Sequence, residues 1–197
     1  MKNFDNFFCS PIYKMSKSEW VENIYSICRP YLIEAKQLLK NNIIPGTVFH
    51  SKSLINEIKL TFFHEYILEE SKKILDHQGF DMTKHKCIIK ESWVQEFSDI
   101  NPFHEQHVHS NSHISGFFFI KSSENTSYPI FQDPRYGALM TVLTQKDENK
   151  ITHASENIKF KNKPGDIIFF NSYLPHSFSI NRSNEPFIFI HFNIQAI

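Results

Sequence analysis

Hydrophobic and polar positions follow one pattern in the first part of the chain and another after about residue 85. The first part contains two stretches with helical periodicity, of which the earlier is Ser16–Lys40. Ser18 is the predicted N-cap of this helix, and Pro30 predicts a kink or a break into two helices, because proline lacks the backbone N–H that a helix interior uses. The positions expected along its buried face are Trp20, Ile24, Ile27, Tyr31 and Leu38.

The second helical stretch runs from about Leu54 to His77. Its apolar stripe, with charged residues opposite, consists of Ile55, Ile58, Phe62, Tyr66 and Leu68. Gly79 follows Gln78 and is a typical C-terminal stop, since glycine readily adopts the left-handed conformation in which many helices end. Residues 1–84 are therefore predicted to form a helical flank.

After residue 85 the pattern changes to short runs of β-forming residues separated by turn residues. The predicted strands are Cys87–Phe97, His107–His109, Ile114–Ile120, Pro129–Phe131, Ala138–Leu143, Asn157–Phe160, Asp166–Asn171, Ser177–Ile180 and Phe187–Ile194. Many short strands after a helical third predict an α+β fold, in which a sandwich or barrel is flanked by helices. The chain of 197 residues is long enough for one domain and short for two, so residues 1–197 are predicted to be a single domain with its β core at 85–197.

Composition and charge narrow the possible partners. The 20 phenylalanines and the 41% share of hydrophobic residues indicate a folded, aromatic-rich core. Lys plus Arg and Asp plus Glu number 21 each, and the basic residues are scattered along the chain. This balance argues against binding to nucleic acid or to an anionic membrane surface.

The cysteines and the N-terminus bear on the compartment. Cys9, Cys28 and Cys87 are odd in number and widely spaced, which argues against a disulfide framework or a zinc ribbon and is typical of a reducing compartment. The first residues include Asp5 and lack a long apolar segment, so no signal peptide is predicted. No apolar run reaches the roughly 18 residues of a membrane span, and the sequence predicts a cytoplasmic protein.

A histidine cluster is the first indication of chemistry. Four of the 11 histidines fall between His104 and His113, and His107 and His109 are separated by one residue. On a β-strand this spacing places both imidazoles on the same face, where they can reach one metal ion. An H-x-H pair is expected by chance roughly half the time in such a chain, so it needs a third ligand from elsewhere. His104 and His113 themselves are expected to be surface residues.

A candidate third ligand lies near the other end of the chain. Lys163–His176 is typical of a tight turn, a buried strand and a loop that presents His176 directly after a proline. A histidine at the end of a strand is well placed to complete a site in the mouth of a barrel. His107, His109 and His176 together are therefore the predicted metal ligands.

These segments resemble a family of Fe(II)/2-oxoglutarate oxygenases that is common in marine bacteria and their phages. The run His107–Phe119 is similar to the family block H-x-H-P-x-S-x-x-S-G-v-y-Y. Further segments match the family in order, namely Glu91–Gln95, Phe131–Arg135, Pro164–His176 and the closing strand Ile190–Ile194. The similarity extends from about residue 70 to the end of the chain. An ordered set of this kind is more specific than any single block.

The resemblance implies a double-stranded β-helix, that is, a jelly-roll or cupin-like barrel beside N-terminal helices, with Fe(II) in its mouth. His107 matches the first iron ligand of the family and His176 the distal one. His109 stands where most of these enzymes carry Asp or Glu in H-x-D. A carboxylate offsets one charge of Fe(II), whereas three neutral imidazoles leave both charges, as in the three-histidine iron sites of cupin dioxygenases.

Two departures from the family concern 2-oxoglutarate. The closing strand of the family reads roughly R-I-S-I-S-F-N, and its arginine binds the distal carboxylate of 2-oxoglutarate, whereas Phe187 stands at that place here. The tyrosines that follow Ser-Gly in the family are Phe118 and Phe119 in this chain. Burying a dicarboxylate without a cation costs on the order of several kcal/mol. The sequence thus predicts Fe(II) and leaves 2-oxoglutarate as a possible cosubstrate.

Several residues are candidates for contacting the cosubstrate or the substrate. The cations that could replace the missing arginine are Arg135 in the Asp-Pro-Arg block, Lys121 after the Ser-Gly strand, and Arg182 six residues past His176. By strand alternation, His191 and Asn193 share a face with Phe187. Trp93, Gln95 and Asn193 match pocket positions of the family, and a structural role is the alternative for each.

Three functions are compatible with these residues. The leading hypothesis is an iron oxygenase that uses O2 on a small molecule or side chain, either with electrons from 2-oxoglutarate or, in a variant, with electrons from the substrate itself. A non-catalytic metal-binding or small-molecule-binding jelly-roll is the alternative, since a fold does not guarantee activity. A hydrolytic zinc site would need a general base, for which Glu105 is the only close candidate. The sequence identifies neither the substrate nor the oligomeric state.

Overall fold

The computed structural model describes residues 8–40, 43–97, 101–140 and 143–197. Its elements, in chain order, are β1 (Ile12–Ser16), α1 (Val21–Leu38), β2 (Val48–His50), α2 (Thr61–His77), β3 (Cys87–Phe97), β4 (His104–His107), β5 (Ile114–Lys121), β6 (Pro129–Gln132), α3 (Tyr136–Leu139), β7 (Asn157–Lys159), β8 (Asp166–Asn171), β9 (His176–Phe178) and β10 (Ile188–Ala196). Short 3-10 turns at Ser18–Trp20 and Ile58–Leu60 precede α1 and α2. No helix in the described ranges is long and apolar enough to cross a membrane.

The strands form two antiparallel sheets. The larger sheet has six strands in the order β1-β8-β5-β10-β3-β2, and the smaller has four in the order β4-β9-β6-β7. One buried cluster contains residues from both sheets, so the sheets enclose a common core. This arrangement is the double-stranded β-helix with flanking helices that the sequence predicts.

The six-stranded sheet is buried on both faces. Along β10, Ile188, Ile190 and Phe192 pack on the side of α1 and α2. Phe187, just before β10, and Phe189 point between the two sheets instead, because successive side chains of a strand alternate between faces. The core between the sheets consists of Phe97, Phe117, Phe119, Phe131, Ile168, Phe170, Leu174, Phe178, Phe187 and Phe189. We call this set the inner phenylalanine core.

The helices bear out the prediction in outline and differ from it in detail. α1 continues through Pro30 without a break, because packing of its buried face against the sheet holds the helix on both sides of the proline. Ser18 is not an N-cap: α1 begins after Trp20, and neither residue makes a side-chain capping bond. Gly79 has the predicted left-handed conformation, with φ of +96°.

The buried helix faces are rotated from the predicted stripes. The buried residues of α1 are Ile24, Cys28, Leu32 and Ala35, and those of α2 are Phe63, His64, Ile67, Ser71, Ile74 and Leu75. Leu38 and Ile58 are 78% and 85% exposed. The apolar stripe of each helix is wider than the surface that packs against the sheet, so residues at the edge of the stripe stay exposed to solvent. Which residues are buried is therefore decided by the packing on the sheet.

Most strands form where they are predicted, and β3 and β8 have the predicted bounds. β1 and β2 were not predicted, so the first 84 residues contribute two edge strands as well as the helical flank. The strand predicted at Ala138–Leu143 is wrong at its start, where α3 lies, while Thr141 and Val142 fall outside the described residues. The division of the chain into one domain stays a prediction.

Gly116 gives a test of the packing of β5 against its neighbours β8 and β10. A methyl group at Gly116 would meet the Phe192 ring and the Ile168 carbonyl oxygen. We expect Gly116→Ala to lower the free energy of unfolding by about 1–3 kcal/mol, the cost of overpacking a close-packed core. Gly137→Ala is the matched control, because nothing lies within 4 Å of the added methyl group there. Urea denaturation measures both, and an equal effect of the two substitutions would contradict this packing.

Candidate metal centre

The pairing of β4 with β9 brings two of the predicted ligands together. His107 is the last residue of β4, His176 is the first of β9, and the two are direct partners in the antiparallel ladder. Their ring centroids lie 4.4 Å apart. His109 lies beyond the end of β4, so the prediction that a strand carries both members of the H-x-H pair is wrong. The His109 backbone N–H donates to the Ser172 carbonyl at 3.0 Å, which holds the loop next to the segment before β9.

The three side chains converge on one point. One ring nitrogen from each of His107, His109 and His176 lies within 4.8 Å of the other two. The Nε2 atoms of His109 and His176 are 3.2 Å apart. Two ligands held at about 2.0–2.1 Å from one ion, roughly at right angles, would be about 3 Å apart. The spacing therefore fits a shared transition-metal ion.

Backbone carbonyls orient two of the three rings. Nδ1 of His107 is 2.7 Å from the Glu105 carbonyl oxygen, and Nδ1 of His176 is 3.0 Å from that of Leu174. A carbonyl only accepts, so each Nδ1 carries the hydrogen and each Nε2 keeps its lone pair. Metal-binding histidines are commonly fixed in this way. The two tautomers are thus set for ligation through Nε2.

Burial keeps two of these imidazoles in the neutral form. It lowers the pKa of His109 to about 4 and that of His176 to about 3, and the neighbouring imidazoles act in the same direction. A neutral imidazole is the form that ligates a metal. Three such nitrogens suit Fe, Zn, Cu or Ni, and the triad contains no carboxylate. The residues present therefore fit an Fe(II) ion.

A cavity of about 180 Å³ adjoins the triad. It is lined by His50, Trp93, Gln95, His104, His107, His109, Phe117, Phe178 and His191. We call it the histidine cavity. Three of the candidate contact residues, Trp93, Gln95 and His191, are therefore beside the triad. Gln95 is engaged with His50, with 3.1 Å between Nε2 and Nδ1.

His191 and Trp93 have polar atoms without partners on this wall. His191 is 2% exposed and its ring centroid lies 4.6 Å from those of His109 and Trp93. Both ring nitrogens of His191 and the buried Nε1 of Trp93 lack hydrogen-bond partners among the described residues. A buried donor without a partner costs about 1–3 kcal/mol, so such groups in a cavity wall are typical of a binding site.

The other candidate contact residues lie elsewhere. Arg135 is half-exposed, is paired with Asp133, and lines a separate cavity of about 590 Å³ that none of the triad lines. Lys121 sits over the Tyr25 ring at 4.1 Å, on the α1 side of the sheet, and Arg182 is exposed. None of these three cations lines the histidine cavity.

Asn193 is a buried structural group on the same strand face as His191. Its Oδ1 accepts from Ser115 Oγ at 2.6 Å, and its Nδ2 donates to Glu91 Oε2 at 2.6 Å. It does not line the histidine cavity. Its polar atoms are therefore satisfied by the protein itself.

Phe187, which the family resemblance matches to the arginine, is fully buried in the inner phenylalanine core. Its nearest aromatic rings are those of Phe97 at 5.1 Å and Phe189 at 5.2 Å. Among the described residues no lysine or arginine is buried. The described residues thus offer iron a fitting set of ligands, but none of their lysines or arginines offers the distal carboxylate of 2-oxoglutarate a buried cation.

Two lining residues were missed in the sequence. His104, expected at the surface, is half-buried in β4 with its ring 4.8 Å from that of His107. His50 comes from β2, an edge strand without a clear periodic signal. Only the clustering of histidines around residue 107 could have indicated His104. His113 is exposed, as expected, and Glu105, the candidate base of a hydrolytic zinc site, is exposed and does not line the cavity.

The depressed pKa values predict acid sensitivity of the metal-free protein. In the unfolded chain these imidazoles titrate near pH 6.5, and in the folded chain near 4 for His109 and 3 for His176. The unfolded state therefore binds more protons below pH 6.5, and we expect the free energy of unfolding to fall as the pH drops from 6.5 toward 4. The melting temperature of the metal-free protein, followed between pH 6.5 and pH 4, measures this loss of stability. A His176→Gln variant should show a shallower dependence, and a melting temperature that stays constant on acidification would contradict the burial of neutral imidazoles.

Comparison with known proteins agrees with this geometry. A family model described as "Putative 2OG-Fe(II) oxygenase" matches residues 91–193, a range that contains all three histidines. No curated protein sequence matches the chain.

Solved structures are similar in fold at low identity. AviO1 from Streptomyces viridochromogenes Tue57 has a TM-score of 0.64 at 7% identity, over 94% of this chain and 90% of that one. HygX from Streptomyces hygroscopicus, with nickel and 2-oxoglutarate bound, has a TM-score of 0.56 at 9% identity, over 94% and 83%. A Pseudomonas putida prolyl-4-hydroxylase has a TM-score of 0.54 at 8% identity, over 92% and 91%. Because the family model spans more than half of the residues, the chain belongs to the 2OG-Fe(II) oxygenase family.

Proposed function

We propose that this protein is a non-haem Fe(II) oxygenase that uses O2 to oxidise a small molecule, with the iron held by His107, His109 and His176. The observation that carries the proposal is the convergence of three imidazole nitrogens within 4.8 Å. Membership of the 2OG-Fe(II) oxygenase family supports the same reaction class and the same metal. Bound Fe(II) would supply the activation of O2 that organic side chains do not provide.

The protein contributes orientation and shielding. The carbonyls of Glu105 and Leu174 fix two of the rings, so the ligands are organised before a metal arrives. Three protein ligands leave coordination positions for O2 and a substrate. Phe117 and Phe178 form an apolar wall of the histidine cavity and keep water away from the reacting groups. His191 and Trp93 can hold an oxygen atom of a bound molecule through their unpartnered N–H groups.

A metal-binding module without turnover is the second candidate. The observation that favours it is the inner phenylalanine core, which fills the place where the family arginine binds the cosubstrate. Oxygen uptake by the Fe(II)-loaded protein, measured with an electrode over a panel of small organic acids and alcohols, separates the two candidates. Turnover that depends on both iron and O2 supports the oxygenase, whereas metal binding without uptake supports the module.

We also propose that the protein works in the cytoplasm as a partner of small molecules and not of nucleic acid. The three cysteines form no disulfide, which suits a reducing compartment. The equal numbers of acidic and basic residues, 21 each, provide no positive field for a nucleic acid.

Removal of His176 tests the proposed ligand set. We expect His176→Ala to lower the affinity for Fe(II) or Ni(II) at least about 100-fold, because one of three ligands and its oriented lone pair are lost. His113→Ala is the matched control, since His113 lies in the same histidine-rich segment but is exposed and outside the triad. Isothermal titration calorimetry under anaerobic conditions measures both. Equal affinities of the two variants would refute the assignment of His176.

A further inference from the structure

The distribution of charge around the histidine cavity indicates what the site can bind. A dicarboxylate such as 2-oxoglutarate needs a cation at each end when it is buried. A bound metal would serve one end. At the other end, none of the described lysines or arginines lines the cavity wall.

Part of the cavity wall is formed by phenylalanine rings, and that of Phe117 lies 5.7 Å from the His176 ring. Phe117 and Phe178 line it and belong to the inner phenylalanine core. Phe178 stacks on Phe189 with ring centroids 4.8 Å apart, and Phe117 lies 5.4 Å from Phe189. Both rings are uncharged, and none of the described lysines or arginines is among the lining residues. The far end of a ligand is therefore in contact with uncharged groups.

The metal end of the cavity, in contrast to the uncharged far end, would carry positive charge. In the part of the chain that the structure describes, neither the triad nor the cavity lining includes Asp or Glu. A divalent ion on three neutral imidazoles keeps both of its charges, and an anionic ligand atom would offset one of them. A metal held by three histidines would thus attract an anion more strongly than one held by an H-x-D motif. At the distal end of the cavity, the described residues provide no charged group to attract a second anion.

Unpartnered N–H groups lie between these two ends. Nε1 of Trp93 and the ring nitrogens of the 2% exposed His191 lie on the cavity wall without partners among the described residues. Nε1 of Trp93 and the one protonated ring nitrogen of neutral His191 can donate to an oxygen atom that a metal-bound ligand presents beside His109. The volume of about 180 Å³ limits the ligand to a compact molecule.

We propose that the histidine cavity binds a small monoanionic acid, with its carboxylate and an adjacent oxygen at the metal and an uncharged, apolar remainder against Phe117 and Phe178. The inference rests on the proposed iron site and narrows its ligand class. It differs from the family expectation because the second carboxylate of 2-oxoglutarate has no counterpart in this cavity.

Two keto acids that differ only at the distal end test the proposal. 2-Oxopentanoate has the metal-binding end of 2-oxoglutarate and lacks its second carboxylate. We expect 2-oxopentanoate to bind the Ni(II)-loaded protein at least about tenfold more tightly than 2-oxoglutarate, since an unpaired buried carboxylate costs more than one factor of ten. Pentanoate, which lacks the keto oxygen, should bind more weakly than 2-oxopentanoate. Calorimetry gives the three affinities, and the visible absorption of the anaerobic Fe(II) complex reports whether the keto acid is on the metal.

The possible results separate the two proposals. Binding of 2-oxoglutarate as tight as or tighter than that of 2-oxopentanoate would overturn the ligand class and leave the iron site standing. If neither keto acid binds the metal-loaded protein, the proposed ligand class is again overturned and the iron site again stands. Failure of the protein to bind Ni(II) or Fe(II) at all would overturn both proposals.

His191 variants test the hydrogen bond within the cavity. We expect His191→Phe, which keeps a ring of similar size but no nitrogen, to weaken 2-oxopentanoate binding roughly tenfold with little change in metal affinity. His191→Gln retains an N–H donor and should recover most of the affinity. Equal binding by the wild type and His191→Phe would rule out this hydrogen bond, and circular dichroism of both variants establishes that they are folded.

Discussion

The antiparallel pairing of β4 with β9 is the interaction on which the site depends. It makes His107 and His176 ladder partners although they are 69 positions apart, and it leaves the chain free to turn after His107 so that His109 faces both. A shift of the register by one residue would turn one imidazole to the opposite face of the sheet. The carbonyls of Glu105 and Leu174 then fix the rings, so that one strand pairing determines both the position and the tautomer of the ligands.

The second constraint is the division of the phenylalanines between the two faces of the larger sheet. Phe118 and Phe192 pack toward the helices, whereas Phe117, Phe187 and Phe189 fill the space between the sheets. The inner phenylalanine core contributes Phe117 and Phe178 to the small histidine cavity, which none of the described lysines or arginines lines. The same aromatic packing that stabilises the barrel therefore selects against a ligand with two charges, because a buried charge needs a partner that close-packed rings cannot provide.

Two departures from the family pattern each change the charge of the site, and their effects are related. By the family resemblance, His109 replaces a carboxylate at the proposed metal site, which removes a negative charge. By the same resemblance, Phe187 replaces an arginine, which removes a positive charge from the core. Either change alone would leave a ligand such as 2-oxoglutarate poorly balanced. Together they move the attraction for an anion to the metal end, and His191 and Trp93 provide uncharged donors between the ends. The site is thus consistent with an altered ligand preference as well as with lost activity.

The sequence by itself determined the fold class, most of the strands and the three histidines, because strand alternation, turn residues and ordered motif blocks are local signals. It also indicated the substitution at Phe187, because the closing strand can be compared residue by residue with the family block that it resembles. The tertiary structure decided what the sequence could not express: that β1 and β2 complete the larger sheet, that α1 continues through Pro30, and that His50 and His104 join the cavity. It also set Arg135, Lys121 and Arg182 apart from the cavity. Which distant side chains meet depends on sheet pairing and core packing, and neither leaves a periodic trace in the sequence.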